Sequence, residues 1–180
     1  PSMAESCGSP HRQTGLPDEQ LLAHVPDWHF AAYRARYPSA SEPLAAGQTL
    51  LVEAADTVTC APELVRMTLN LAMTHTDATR SVYGKRLVYG GHTISIASKQ
   101  LAMGLPHILQ ILAWYRCDHV GPVFEGDVLS SQITIKETQK VQDATVAKLA
   151  VEVFAKRGPE APSDLPDAKV LDWSLAVLLP

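Results

Sequence analysis

The sequence has 180 residues, 46% of them hydrophobic and 19% charged, with a formal net charge of −4. That length gives one domain with enough apolar material for one core. The slight acidity disfavours a nucleic-acid partner, which calls for a basic face. No stretch approaches the roughly 18 unbroken apolar residues of a membrane span. Residues 1–20 lack the apolar segment of a secretory signal. A soluble, cytoplasmic protein without a membrane partner is expected. Cys7, Cys60 and Cys117 are too few and too widely spaced for a disulfide framework or a zinc site, and read as apolar fillers or, for Cys7, a tail residue.

In chain order, residues 1 to about 20 read as a loose polar tail. The segment PDEQLLAHVPDWHFAAYRARY (17–37) predicts one or two short helices, broken at Pro26 and ended by Pro38. Residues 38–48 read as a loop or linker, so an N-terminal extension over 1–45 precedes one domain over 46–180. Thr49–Thr59 is rich in Val, Leu and Thr and predicts a strand. CAPELVRMTLNLAMTH (60–75) has helical spacing, with Pro62 tolerated in the first turn. GGHTISIASKQLAMG (90–104) predicts a second helix. Its sole charge is Lys99, so most of its surface is expected to be buried.

Strands follow over 108–118, 128–137, 144–156 and 169–179, with a hairpin at Gln142-Asp143. A sheet is the surface available to cover so apolar a helix. The expected class is α+β, a curved antiparallel sheet wrapped around one central helix.

The stretch with most chemistry is NLAMTHTDATRSVYGKRLVYGGHTISIA (70–97). It sets Asn70 and His75 at the end of the first helix, about fifteen residues before a glycine pair that opens the second. A histidine moves protons near neutral pH. Backbone N–H groups at a helix start stabilise a negatively charged oxygen. Together they suit chemistry at a carbonyl or thioester.

These residues, with VGPVFEGDVL (120–129), resemble the MaoC-like, or (R)-specific enoyl-CoA hydratase, family of hot-dog proteins, most closely its mesaconyl-CoA hydratase branch. The resemblance covers roughly residues 46–155. It implies a hot-dog fold and a hydro-lyase that adds water reversibly to a 2-enoyl thioester of a short or branched acyl-CoA, or of an acyl-carrier protein. It implies no cofactor beyond the coenzyme A of the substrate. His75 matches the family's active-site histidine, and Gly90 its oxyanion-hole glycine, with Gly91 the alternative. The family's Asp-x-Asn-Pro-x-His is broken here, because Asn70 stands for the aspartate and Ala72-Met73-Thr74 replaces the Asn-Pro run. An asparagine amide orients water but accepts no proton.

Asp77 reads as the cap of a short turn, ahead of a role as substitute base. Tyr89 is placed to line the pocket. His92 either faces the substrate or bonds a neighbouring loop, and in the first helical turn it is expected to stay neutral. Arg80, Lys85 and Arg86 suit the phosphates of coenzyme A, beside the plainer reading of a solvated turn. His107 and His119 have no partner nameable from sequence, no metal site is expected, and Trp28, Trp114 and Trp173 read as core or interface. The alternative function is a non-catalytic half-site module that binds thioesters or pairs with a catalytic hot-dog unit. An open sheet edge predicts a homodimer or an assembly of dimers.

Overall fold

The computed structural model describes residues 18–180. The tail read into residues 1–17, with Cys7 and His11, lies outside them. Two short helices come first, α1 (Asp18–Leu22) and α2 (Phe30–Arg36), followed by a 3-10 turn over Pro38–Ser41 within the stretch read as linker. Then come β1 (Thr49–Thr57), α3 (Ala61–Met67), α4 (Gly90–Gly104), β2 (Gln110–His119), β3 (Val128–Val141), β4 (Ala144–Lys156) and β5 (Ala168–Leu179). The strands form one antiparallel sheet in the order β1-β3-β4-β5-β2, leaving β1 and β2 at the edges. Among the described residues no helix is long and apolar enough to cross a membrane.

Alternation along the strands builds the core. In β5, Trp173, Leu175, Val177 and Leu179 face α4, while Ala176 and Leu178 face the other way. The first set joins Leu129, Ile133, Leu149, Val151, Ala97 and Leu101 in the main core. The second joins Ala144 and Val146 beneath Leu21 and Phe30 of the N-terminal helices. Each fully buried Leu or Phe contributes roughly 1.5–3 kcal/mol, so Leu21 and Phe30 are the main anchors of α1 and α2, with Leu22 packed alongside and Asp18 paired to Lys148 of β4. Register irregularities between Leu51 and Ala55 in β1 and between Ile135 and Glu137 in β3 bend the sheet around α4.

The expected α+β class holds, with the sheet left open rather than closed into a barrel. Three expectations need correction. The helix read over residues 60–75 stops at Met67, because Leu69 takes a left-handed conformation (φ 53°) that ends the α-helical bonding. In α4 only Thr93, Ala97, Gln100 and Leu101 are buried, since the open sheet covers one face. The helix is nearly uncharged, yet Ser95, Lys99, Ala102 and Met103 are exposed along its outer side. The third strand runs on to Val141, pairing with β4 up to the two-residue Gln142-Asp143 turn.

The Gly126-Asp127 pair proves to be a clamp. Gly126 has φ +87°, which glycine adopts without strain, and its N–H donates to the Val58 carbonyl (2.8 Å). The next side chain, Asp127, is wholly buried. Its carboxylate accepts from Phe124 N–H (3.0 Å), Gly158 N–H (2.8 Å) and Arg157 Nη1 (2.8 Å), tying the 121–127 loop to the end of β4.

Candidate active site

The site begins where α3 unwinds. Thr68 Oγ1 donates back to the Leu64 carbonyl (2.8 Å), Leu69 turns left-handed, and Asn70 Oδ1 accepts from Ala72 N–H (2.8 Å). The Asn70 oxygen is therefore committed to its own turn, as Asx residues commonly are. A separate 3-10 turn, Met73–His75, then carries the histidine. His75 does not sit at the end of α3, as the helical spacing suggested.

His75 Nδ1 lies 2.9 Å from the Leu87 carbonyl oxygen. A carbonyl only accepts, so Nδ1 bears the hydrogen and Nε2 of the neutral ring carries the lone pair. The 87–88 segment that supplies this carbonyl is held on both sides, since Leu87 N–H donates to Thr74 O (3.0 Å) and Val88 N–H to Val123 O (2.9 Å). One residue on, Tyr89 caps α4 in extended conformation, with its ring edge-on to His75 at 5.9 Å between centroids. Gly90 and Gly91 follow as the first two residues of α4. Their N–H groups have no intrahelical acceptor and sit at the positive end of the helix dipole. The chain thus brings His75, Tyr89, Gly90 and Gly91 to one corner.

His92, in the first turn, has an Nδ1 that is buried without a hydrogen-bond partner among the described residues. Burial lowers its pKa, against the pull of Glu125. The expected neutral state therefore has desolvation as its main cause. Asp77 accepts from both the N–H (2.9 Å) and the Oγ1 (2.7 Å) of Thr79, which hold its carboxyl below the usual range and give it the capping role.

Of the three cations, Lys85 pairs loosely with Glu160 (3.8 Å) and Arg86 with Glu125 (3.7 Å), while Arg80 is exposed. Such half-exposed pairs are worth at most about 1 kcal/mol, so a phosphate would displace the carboxylates easily. A groove of about 820 Å³ lies at the other end of α4, lined by Gly104, His107, Lys140 and neighbours, and includes none of these site residues.

One residue of this corner escaped the sequence reading. His119, the last residue of β2, lays its imidazole against Gly90. A Cβ built on Gly90 would fall onto that ring, 2.8 Å from Cε1 and closer still to Nε2. No local signal announces the contact, because 29 positions separate the two residues and only the β2–β5 pairing brings them together. His107, by contrast, is tied up by Tyr33 (3.3 Å) and Ser39 (2.9 Å). Among the described residues no cluster of three or more His, Cys, Asp or Glu is set to hold a metal ion.

No family model matches the chain. Mesaconyl-CoA hydratase of Cereibacter sphaeroides is 34% identical over 96 residues, 53% of this chain and 28% of that protein. Beta-methylmalyl-CoA dehydratase of Chloroflexus aurantiacus is 31% identical over 107 residues, 54% of this chain and 30% of its own length. Among solved structures, a conserved hypothetical protein of Mycobacterium tuberculosis with a double hot-dog fold is 42% identical, with a TM-score of 0.70 over 84% of this chain and 44% of that one. The chain thus spans less than half the length of each of these proteins. With its five-stranded sheet and central helix the chain has the hot-dog fold, and over that domain it is similar to the MaoC-like hydratases.

Proposed function

We propose that the His75–Gly90 corner adds water reversibly to a 2-enoyl thioester, with a short or branched acyl-CoA as substrate. The observation that carries this reading is the 2.9 Å bond from His75 Nδ1 to Leu87 O, which leaves Nε2 as the free base. In the forward direction Nε2 takes a proton from water as the water oxygen bonds to Cβ of the substrate. The electron pair of the double bond moves toward the thioester, and its carbonyl oxygen, now an enolate, is held by N–H groups of Gly90 or Gly91. The imidazolium then returns its proton to Cα, so that one water is added and the base is restored. Lys85, Arg86 and Arg80 edge the same segment and suit the phosphates of the carrier. Tyr89 and His92 serve as pocket wall.

A second reading has its own observation. The Asn70 oxygen is engaged by Ala72 N–H, so nothing at this position acts as a carboxylate beside His75. In that case the chain binds thioesters, or completes a catalytic hot-dog partner, without turnover of its own. Crotonyl-CoA and mesaconyl-CoA hydration, followed by loss of the enoyl-thioester absorbance, separates the two. The hydratase reading expects turnover that drops on the order of 10²–10³-fold in His75→Ala, and rises in Asn70→Asp. A fully active His75→Ala overturns the site. Thioester binding with no turnover in either the wild type or Asn70→Asp establishes the binding module instead.

A further inference from the structure

His119 differs from His75 and His107 in what its ring is given to do, and from the other unbonded histidines in lying against the head of α4. His75 is anchored by a backbone carbonyl and His107 by two hydroxyls, whereas among the described residues neither nitrogen of His119 is hydrogen-bonded. Its backbone is nonetheless fixed. His119 stands opposite Leu171 in the β2–β5 ladder, and the following residue, Val120, donates to Val170 O (3.0 Å). The ring is thus delivered by a rigid strand end to the first residue of α4, and it packs there only because position 90 has no side chain.

The surroundings favour an uncharged imidazole. Desolvation of the ring face that lies on Gly90 lowers the pKa of this otherwise exposed residue, with Asp118 on the same strand opposing it, and the positive end of the α4 dipole disfavours a second positive charge. A neutral imidazole keeps one N–H to donate. It is also a poor acid, so it polarises a carbonyl and stabilises an enolate without giving up its proton.

We propose that His119 is a second oxyanion donor, whose imidazole N–H shares the thioester carbonyl oxygen with the N–H groups of Gly90 and Gly91 at the head of α4. The assignment rests on the hydratase reading of this corner and adds to it a residue from the sheet edge. The bound oxygen is then held between two separate elements, the helix start and the end of β2. Positioning the substrate therefore depends on their spacing.

The test compares the wild-type chain with His119→Ala and His119→Gln in two assays. One is steady-state hydration of crotonyl-CoA. The other is equilibrium binding of acetoacetyl-CoA, whose enolate absorbs distinctly and mimics the charged intermediate. Loss of one oxyanion donor should lower kcat about 10²-fold, with KM changed only a few-fold, and should weaken enolate binding in parallel. Glutamine, which places an amide N–H near the lost Nε2, should restore at least a tenth of the wild-type value in both assays. Thermal melts of the two variants should match, since the ring makes no hydrogen bond to the fold.

His119→Ala within about two-fold of wild type in both assays overturns the donor role while leaving the hydratase reading intact. Equal loss in Ala and Gln variants, with lowered melting temperatures, also overturns it and makes His119 a packing residue. A wild type that hydrates nothing, yet binds the acetoacetyl-CoA enolate in a His119-dependent way, supports the donor and removes the hydratase. A wild type that does neither removes both.

Discussion

At the Asp127 corner the carboxylate is fully answered from within the chain, and of the Arg157 guanidinium only Nη2 is buried without a partner among the described residues. The carboxylate accepts from Phe124, Arg157 and Gly158, and Arg157 also donates to the Pro122 and Pro166 carbonyls. At the Gly90 corner the groups are brought together but left open. Nε2 of His75, the Gly90 and Gly91 N–H groups that head α4 and the His119 ring lying against Gly90 have no hydrogen-bond partner among the described residues. Both corners centre on a glycine beside a loop, and both stand out in the sequence as motifs. What separates them is saturation. A buried carboxylate with all its donors present has nothing left to offer a ligand, whereas unspent donors and acceptors at the edge of a core are what a substrate can use.

The largest effect should fall on the saturated corner. Asp127→Ala removes the counter-charge of the Arg157 guanidinium and leaves two N–H groups unanswered in a buried setting. It should cost about 3–5 kcal/mol, read from the denaturation midpoint. A cost below about 1 kcal/mol would mean that the clamp is not architectural.

Gly90→Ala should do the reverse. The new methyl meets only the tip of a movable imidazole, so stability should change by less than about 1 kcal/mol. Thioester hydration should nevertheless fall roughly 10–10²-fold as His119 is pushed aside. A stable variant of unchanged activity would refute the open-corner picture.

The smallest effect is in pH. His92 and His119 both have pKa values below the ordinary 6.5 because of burial. The unfolded chain therefore binds more protons than the folded one just below pH 6.5, and stability must decline as the pH falls through that value. Denaturation midpoints measured from pH 7.5 to 5 should fall less steeply in a His92→Gln, His119→Gln double variant. Parallel curves would show that these rings do not titrate against the fold.

Much of the architecture was legible because it rests on local pattern. The period of two in Ala144–Lys156, the glycines at both ends of α4 and the two-residue turn at Gln142 are written into adjacent residues. The end of α3 was not, since Leu69 is no helix breaker by type and adopts φ 53° only in its folded context. The site divides along the same line. His75 and Gly90 sit in one continuous stretch with a recognisable spacing. The meeting of His119 with Gly90 depends on which strand lies at the sheet edge, a fact of topology that no local window contains. The exposed side of α4 has a related reason, because low charge points to burial of most of the surface although only one sheet covers the helix.

The place of β5 has a consequence for the order of assembly. It lies between β4 and β2, and its two faces serve the main core and the N-terminal helices at once. During synthesis β2 is finished at His119, but its pairing partner is completed only at Leu179, about 60 residues and several seconds later at the ~5–20 residues per second of translation. Through that interval Trp114 lacks Trp173, Leu21 and Phe30 lack the Ala176 and Leu178 part of their seat, and β2 waits as a bare strand. The nascent domain is thus most vulnerable to misassociation just before β5 emerges, and that single strand settles the edge, the N-terminal helices and the seat of His119 together.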